Sequence, residues 1–167
     1  IIEISDDFYM KESDSKTFVS ESQKRKYSTS DGRIIGVHQG AHFFTVGQRK
    51  GLGVGGTPEP LFVIDTDVDE NIVYVGQGKE HPGLVRKALK VKVEDIHWVR
   101  TDLKILKGEE LEVMARIRYR QPLQDAKLIL KKEGLYVVFN KNQKAITSGQ
   151  FVVWSLENEL VGSGVIS

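Results

Sequence analysis

Cysteine is absent from the 167 residues, which excludes disulfides, thiolate metal sites and any cysteine nucleophile. No apolar run approaches the ~20 residues that cross a bilayer, and no basic-then-apolar secretory signal opens the chain. No membrane partner is expected, and the cytoplasm is the default compartment. Charge of one sign is not in excess either. The 24 Lys and Arg stand against 23 Asp and Glu, a formal net charge of +1. A polyanionic partner must then be met by a local basic patch and not by the field of the whole molecule. An initiator Met is also missing from Ile1-Ile2-Glu3-Ile4, which already reads as structure, so the expectation is a piece cut from a longer protein.

What the chain does contain is concentrated in residues 40–56. Phe43 to Val46 is aromatic and β-branched and predicts a strand, which feeds Gln48, Arg49 and Lys50 and then Gly51, Gly53, Gly55 and Gly56. Glycine accepts positive φ without steric cost and lets another backbone or a ligand come close. Arg49 and Lys50 make such a loop attractive to phosphate. Gly51, Gly53 and Gly56 also spell G-x-G-x-x-G, but Thr57-Pro58-Glu59-Pro60 follows where a dinucleotide fold needs a helix N-terminus. His38 and His42 are four apart, yet Gly40 between them argues against the helix that would align both on one metal. His81 and His97 read as structural.

Residues 1 to 30 are the least legible: Ile1, Ile2 and Ile4 suggest a strand, and residues 11–26 suggest loop or frayed helix. The basic run Gln23 to Tyr27 reads as a solvated surface. From Ser28 the signals are short strands: Arg33 to Val37 after an Asp31-Gly32 turn, then Leu61 to Asp65 and Ile72 to Val75 joined by a polar turn. Glycine and proline concentrate near residue 85, which divides the chain into a β-rich domain over 1–85 and a second domain over 86–167. The second reads as strands throughout: Lys87 to Val93, Glu110 to Arg120, Leu128 to Leu130, Leu135 to Phe139, Phe151 to Leu156 and Leu160 to Ile166. Lys87 to Val93 alternates, with Leu89, Val91 and Val93 on the core face against Lys90 and Lys92, and Glu110 to Arg120 alternates most clearly, with Leu111, Val113, Ala115, Ile117 and Tyr119 on the core face. Six strands without intervening helices favour closure into an antiparallel six-stranded β-barrel, which removes exposed edges. The fold class is mainly β.

Opposite that core face stand Arg116, Arg118 and Arg120, a ladder about 7 Å apart, close to the phosphate spacing of one strand. A solvated outer face balanced by neighbouring acids would look the same.

Several runs resemble the signature of the tRNA-specific 2-thiouridylases. They are His38-Gln39-Gly40, Phe44 to Gly53, the arginine-tyrosine strand Ala115 to Arg120, the turn Thr147-Ser148-Gly149-Gln150 with Ser148 where proline is usual, and the glycine-rich Leu160 to Ile166. The resemblance covers residues 30–167 and implies the central and terminal β domains of such an enzyme. It implies thiolation of the wobble uridine (U34) of tRNA using ATP and a persulfide sulfur. Neither a Ser-Gly-Gly-x-Asp-Ser pyrophosphate loop nor a thiol is present here, so ATP, the sulfur-donor protein and the chemistry belong to the missing part. The chain alone is then non-catalytic, binds no cofactor and no metal, and acts as a monomer. Arg118, Tyr119 and Gln150 match positions that lie against tRNA in the family, and Gln48, Arg49 and Lys50 match the loop near the catalytic end. Arg116 and Arg120 would extend the tRNA grip. The alternatives are a translation-factor-like barrel module that binds RNA or protein, and a nucleotide-binding enzyme built on Gly51 to Gly56.

Overall fold

The computed structural model describes residues 1–10 and 17–167. The chain forms two compact units, one of Ile1–Ser15 with Lys24–Val85 and the other of Lys16–Gln23 with Arg86–Ser167.

The first unit is built on β1 (Ile2–Glu3), β2 (Arg33–Ile34), β3 (Leu61–Asp67) and β4 (Ile72–Gln77), in the spatial order β2-β1-β4-β3. A short helix, α1 (Asp7–Met10), follows β1. β3 and β4 form a hairpin, while β1 lies parallel to β4 and antiparallel to β2, so that Ile2 pairs with both Tyr74 and Ile34. Both faces of the sheet are covered, and β4 is accordingly a continuous apolar run and not an alternating one. Val73 and Val75 pack with Ile1, Leu52 and Val63 on one side. Tyr74 packs with Ile2, Ile4, Tyr9 and Ile64 on the other.

Two predicted strands take other forms. Phe43 to Val46 is not a strand: Ala41–Phe43 makes a 3₁₀ turn, and Phe44 only continues it in extended conformation. The cause is a distant residue, since Asn71 Oδ1 accepts the Ala41 N–H at 2.8 Å and caps the turn. The strand predicted over Arg33 to Val37 is reduced to Arg33–Ile34, beyond which Ile35 still gives its N–H to the Ile1 carbonyl at 3.0 Å.

The second unit is a closed barrel of β5 (Val85–Trp98), β6 (Glu110–Arg116), β7 (Gln124–Lys131), β8 (Gly134–Lys144), β9 (Phe151–Leu156) and β10 (Glu159–Ile166), in the order β10-β5-β8-β7-β6-β9. The six-stranded antiparallel barrel and the mainly β class expected from the sequence are therefore present. Its interior holds Leu89, Val91, Leu128, Val137, Phe139 and Trp154, all fully buried. Trp154 fits because Gly162 is its cross-strand partner: a Cβ there would lie 2.7 Å from the indole. A second helix, α2 (Phe18–Ser22), capped by Thr17, belongs to this unit and sets Phe18 edge-on against Tyr136 of β8, ring centroids 5.3 Å apart. Residues 11–16 of the polar stretch noted above lie outside the described residues.

The first barrel strand is longer than its pattern indicates. Val93, expected in the core, is 53% exposed. Gly164 pairs with Ile96 but Ile166 with Val91, so the intervening β5 residues bulge outward and the alternation is reset.

Candidate RNA-binding site

The strand expected to run from Glu110 to Arg120 stops at Arg116. Its core face is as the pattern indicates through Val113, Ala115 and Ile117. The Ile117 N–H is then taken by the Gln121 side chain, Oε1 at 3.2 Å. The Gln121 N–H donates to the Arg118 carbonyl at 3.1 Å, which closes a turn over residues 118–121 ahead of Pro122. The expected ladder of three arginines is thereby broken, because only Arg116 remains on the strand. Tyr119 does not enter the core; it is 87% exposed at the tip of the turn.

The turn gathers what the strand would have dispersed. The Arg116 guanidinium stands 5.6 Å from the Tyr119 ring centroid, within cation–π range. Arg118 Nη2 donates to the Ala145 carbonyl at 2.9 Å, which fixes one edge of the guanidinium fork and leaves its remaining donors outward. Arg120 is exposed and makes no side-chain hydrogen bond or ion pair among the described residues. Ala145, at φ 50°, begins the segment that ends at Gln150, and its carbonyl also accepts the Thr147 hydroxyl at 3.1 Å. Gln150 is locked through its backbone, with its carbonyl accepting the Ile166 N–H at 2.8 Å and its N–H reaching the Thr147 carbonyl. Its Oε1 is buried with no hydrogen-bond donor. Arg116, Arg118, Tyr119, Arg120 and the segment of Gln150 thus belong to one end of the barrel.

Gln48, Arg49 and Lys50 lie in the other unit. Gln48 is a loop-shaping residue: Oε1 accepts the Thr45 N–H at 3.1 Å and Nε2 donates to the Lys50 carbonyl at 2.9 Å. Its backbone and that of Gly47 bond to Val63, which pins the loop beside β3. Arg49 and Lys50 are exposed and make no side-chain hydrogen bond or ion pair among the described residues. Arg49 borders an open groove of about 460 Å³ whose wall is Gly51 to Pro60. Gly51, Gly53 and Gly56 adopt φ of 83°, 66° and 81°, so backbone conformation, and at Gly53 and Gly56 not packing, requires glycine. The groove runs from this loop directly into β3, without the helix N-terminus on which a dinucleotide fold seats its pyrophosphate.

The histidines are engaged elsewhere. His38 Nδ1 accepts the Gly40 N–H at 3.1 Å, and His42 packs on Phe43 with centroids 4.0 Å apart. His97 pairs with Ser163 across β5 and β10. Among the described residues no group of three or more His, Asp or Glu side chains could hold a metal ion. No helix of the described residues is long and apolar enough to cross a membrane.

Sequence reasoning missed Gln121, Gln143 and Ala145. Gln121 Nε2 donates to Gln143 Oε1, 22 residues away, and no local pattern signals such a pair.

The fold defines a two-module β protein, a small sheet unit followed by a closed barrel. Residues 16–77 match the family model described as a tRNA methyl transferase PRC-barrel domain, and residues 88–166 one described as an aminomethyltransferase beta-barrel domain. Similar proteins are the tRNA-specific 2-thiouridylases MnmA of Flavobacterium johnsoniae, 64% identical over 88% of this chain and 37% of that protein, and of Christiangramia forsetii, 61% identical over 87% and 37%. The protein of the same name from Bacillus subtilis is 40% identical over 90% of this chain and 41% of its own length. The chain belongs to the tRNA-specific 2-thiouridylase family and spans about two fifths of the length of these curated relatives.

Proposed function

We propose that this chain is the tRNA-gripping portion of a tRNA 2-thiouridylase, holding the RNA so that its wobble uridine (U34) reaches the catalytic part of the enzyme. The observation that carries this reading is the turn over residues 118–121, which presents Arg118, Tyr119 and Arg120 out of the barrel beside Arg116 and is tied by Arg118 to Ala145, at the head of the segment that leads to Gln150. Folded RNA is recognised mainly through phosphate and ribose contacts and through unstacked bases laid on aromatic rings or guanidinium planes. Arg118 and Arg120 supply the former, and the Arg116–Tyr119 pair supplies a stacking surface. Arg49 and Lys50 add a second phosphate contact, on a loop whose shape Gln48 maintains.

The complete enzyme, on this reading, acts in the cytoplasm as a monomer and draws on ATP and on a persulfide from a sulfur-donor protein. The residues here do not hold ATP, and none can carry sulfur, so their part is to bind and orient.

The test is the affinity of the chain for a tRNA transcript with uridine at the wobble position, followed by fluorescence anisotropy. Tyr119→Ala should cost about 1–3 kcal/mol if a base stacks on the ring, and Arg118→Ala should weaken binding with little dependence on RNA sequence. Equal affinity of wild type and both variants would refute the assignment. Binding of a protein domain in place of RNA would favour the translation-factor-like alternative.

A further inference from the structure

The turn that presents Arg118, Tyr119 and Arg120 is held by a relay of side-chain amides. Ile117, the last core residue of the alternation, gives its N–H to Gln121 Oε1 at 3.2 Å. Gln121 Nε2 donates to Gln143 Oε1, and Gln143 Nε2 donates to the Lys141 carbonyl at 3.0 Å. The direction of the relay is forced at both ends, because a backbone N–H can only donate and a carbonyl can only accept. Gln143 is 3% exposed, so neither of its bonds can be exchanged for water without a penalty.

The chain just past the end of β8 holds the turn a second time. Two residues beyond Gln143, the Ala145 carbonyl accepts Arg118 Nη2. The turn is thus fastened near its start by Arg118 and at its end by Gln121, both to residues 141–145. Between the two fastenings stand Tyr119 and Arg120, exposed and without a tether to that segment.

We infer that Gln121 and Gln143 are positioning residues: their amide relay pre-orders the turn, so that Tyr119 and Arg120 meet RNA without first being ordered at its expense. This rests on the RNA-binding reading of the turn given above. Rigidifying a loop in its bound shape raises affinity by removing the cost of ordering it. Without the relay, Tyr119 remains present but spends part of its time away from the productive orientation.

The inference is tested with the 167-residue chain and the wobble-uridine tRNA transcript. Gln143→Met keeps the side chain's volume and removes both of its bonds. Gln121→Glu keeps the acceptor for the Ile117 N–H and loses the donor to Gln143. Each should weaken binding about tenfold, and Tyr119→Ala should cost several-fold less in either background than in the wild type, since the ring is no longer held in place. Leu128→Ala, a core change in the same barrel, should lower the thermal midpoint at least as much as Gln121→Glu while leaving affinity within twofold. Gln121 is only half-buried, so the Gln121→Glu arm stands even where Gln143→Met does not fold.

Two results would overturn the inference: unchanged affinity in Gln121→Glu, or losses that simply multiply with that of Tyr119→Ala. If the wild type binds tRNA and Tyr119→Ala weakens it while Gln121→Glu does not, the relay alone is refuted. If the wild type does not bind, the RNA reading falls and the relay's role falls with it.

Discussion

His81 is 3% exposed and uses both ring nitrogens. Its Nδ1 accepts the Gly83 N–H at 3.1 Å, which makes Nε2 the protonated nitrogen, and Nε2 lies 3.0 Å from the Ile4 carbonyl it donates to. Burial pushes its pKa below the ordinary 6.5, with Asp6 pulling in the opposite direction. The unfolded chain therefore binds a proton that the folded chain refuses, and stability is lost as pH falls from about 6.5 towards the folded value. For Glu3, burial raises the pKa but hydrogen bonds from Arg33 and Gln77 outweigh it, so its contribution is present above the ordinary 4.5 and disappears only below. Thermal midpoints measured between pH 8 and pH 5 should decline below pH 6.5, and His81→Gln should show a smaller decline from a lower starting value. An identical pH dependence in the two proteins would show that the imidazole is not responsible. Gly162 makes a different demand. A side chain there meets both the Trp154 ring and the His97 carbonyl at 2.7 Å, so Gly162→Val should destabilise the barrel by about 1–3 kcal/mol in chemical denaturation.

Among the elements, the β3–β4 hairpin and the 3₁₀ turn depend on one residue. Asn71 sits at φ 53° and caps Ala41 with its side chain. Asn71→Ala loses the cap and keeps an unfavourable backbone, a combined cost of about 1–3 kcal/mol. Asn71→Gly loses only the cap and should cost less, a difference that denaturation can resolve. That residue also shows where local pattern ceases to be informative. Period-two alternation located the barrel strands, because their sides face core and solvent and register follows. It located the core face of β6 up to Ile117 and then failed, because the strand is ended by a Gln121 side chain and not by a change in hydrophobicity. It failed at Val93 for a related reason, since a bulge between β5 and β10 depends on the partner strand. Phe43 to Val46 has strand-like residues, yet a cap 30 positions away sets its shape. The candidate site was legible as residue types, Arg116 to Arg120 and Gln150, whereas its geometry rests on contacts at long sequence separation.

On the scale of the whole molecule, a net charge of +1 means that no general field draws in a polyanion, and any grip on RNA is local. Few phosphates are then engaged, and each contributes separately to the salt dependence. The decisive quantity is the slope of log affinity for tRNA against log salt. With about four phosphates contacted it should be roughly −3 to −4, and removing Arg118 and Arg120 together should reduce its magnitude by about 2. A slope near zero, or one that those two substitutions leave unchanged, would contradict the assignment of the barrel turn as the surface that holds the RNA.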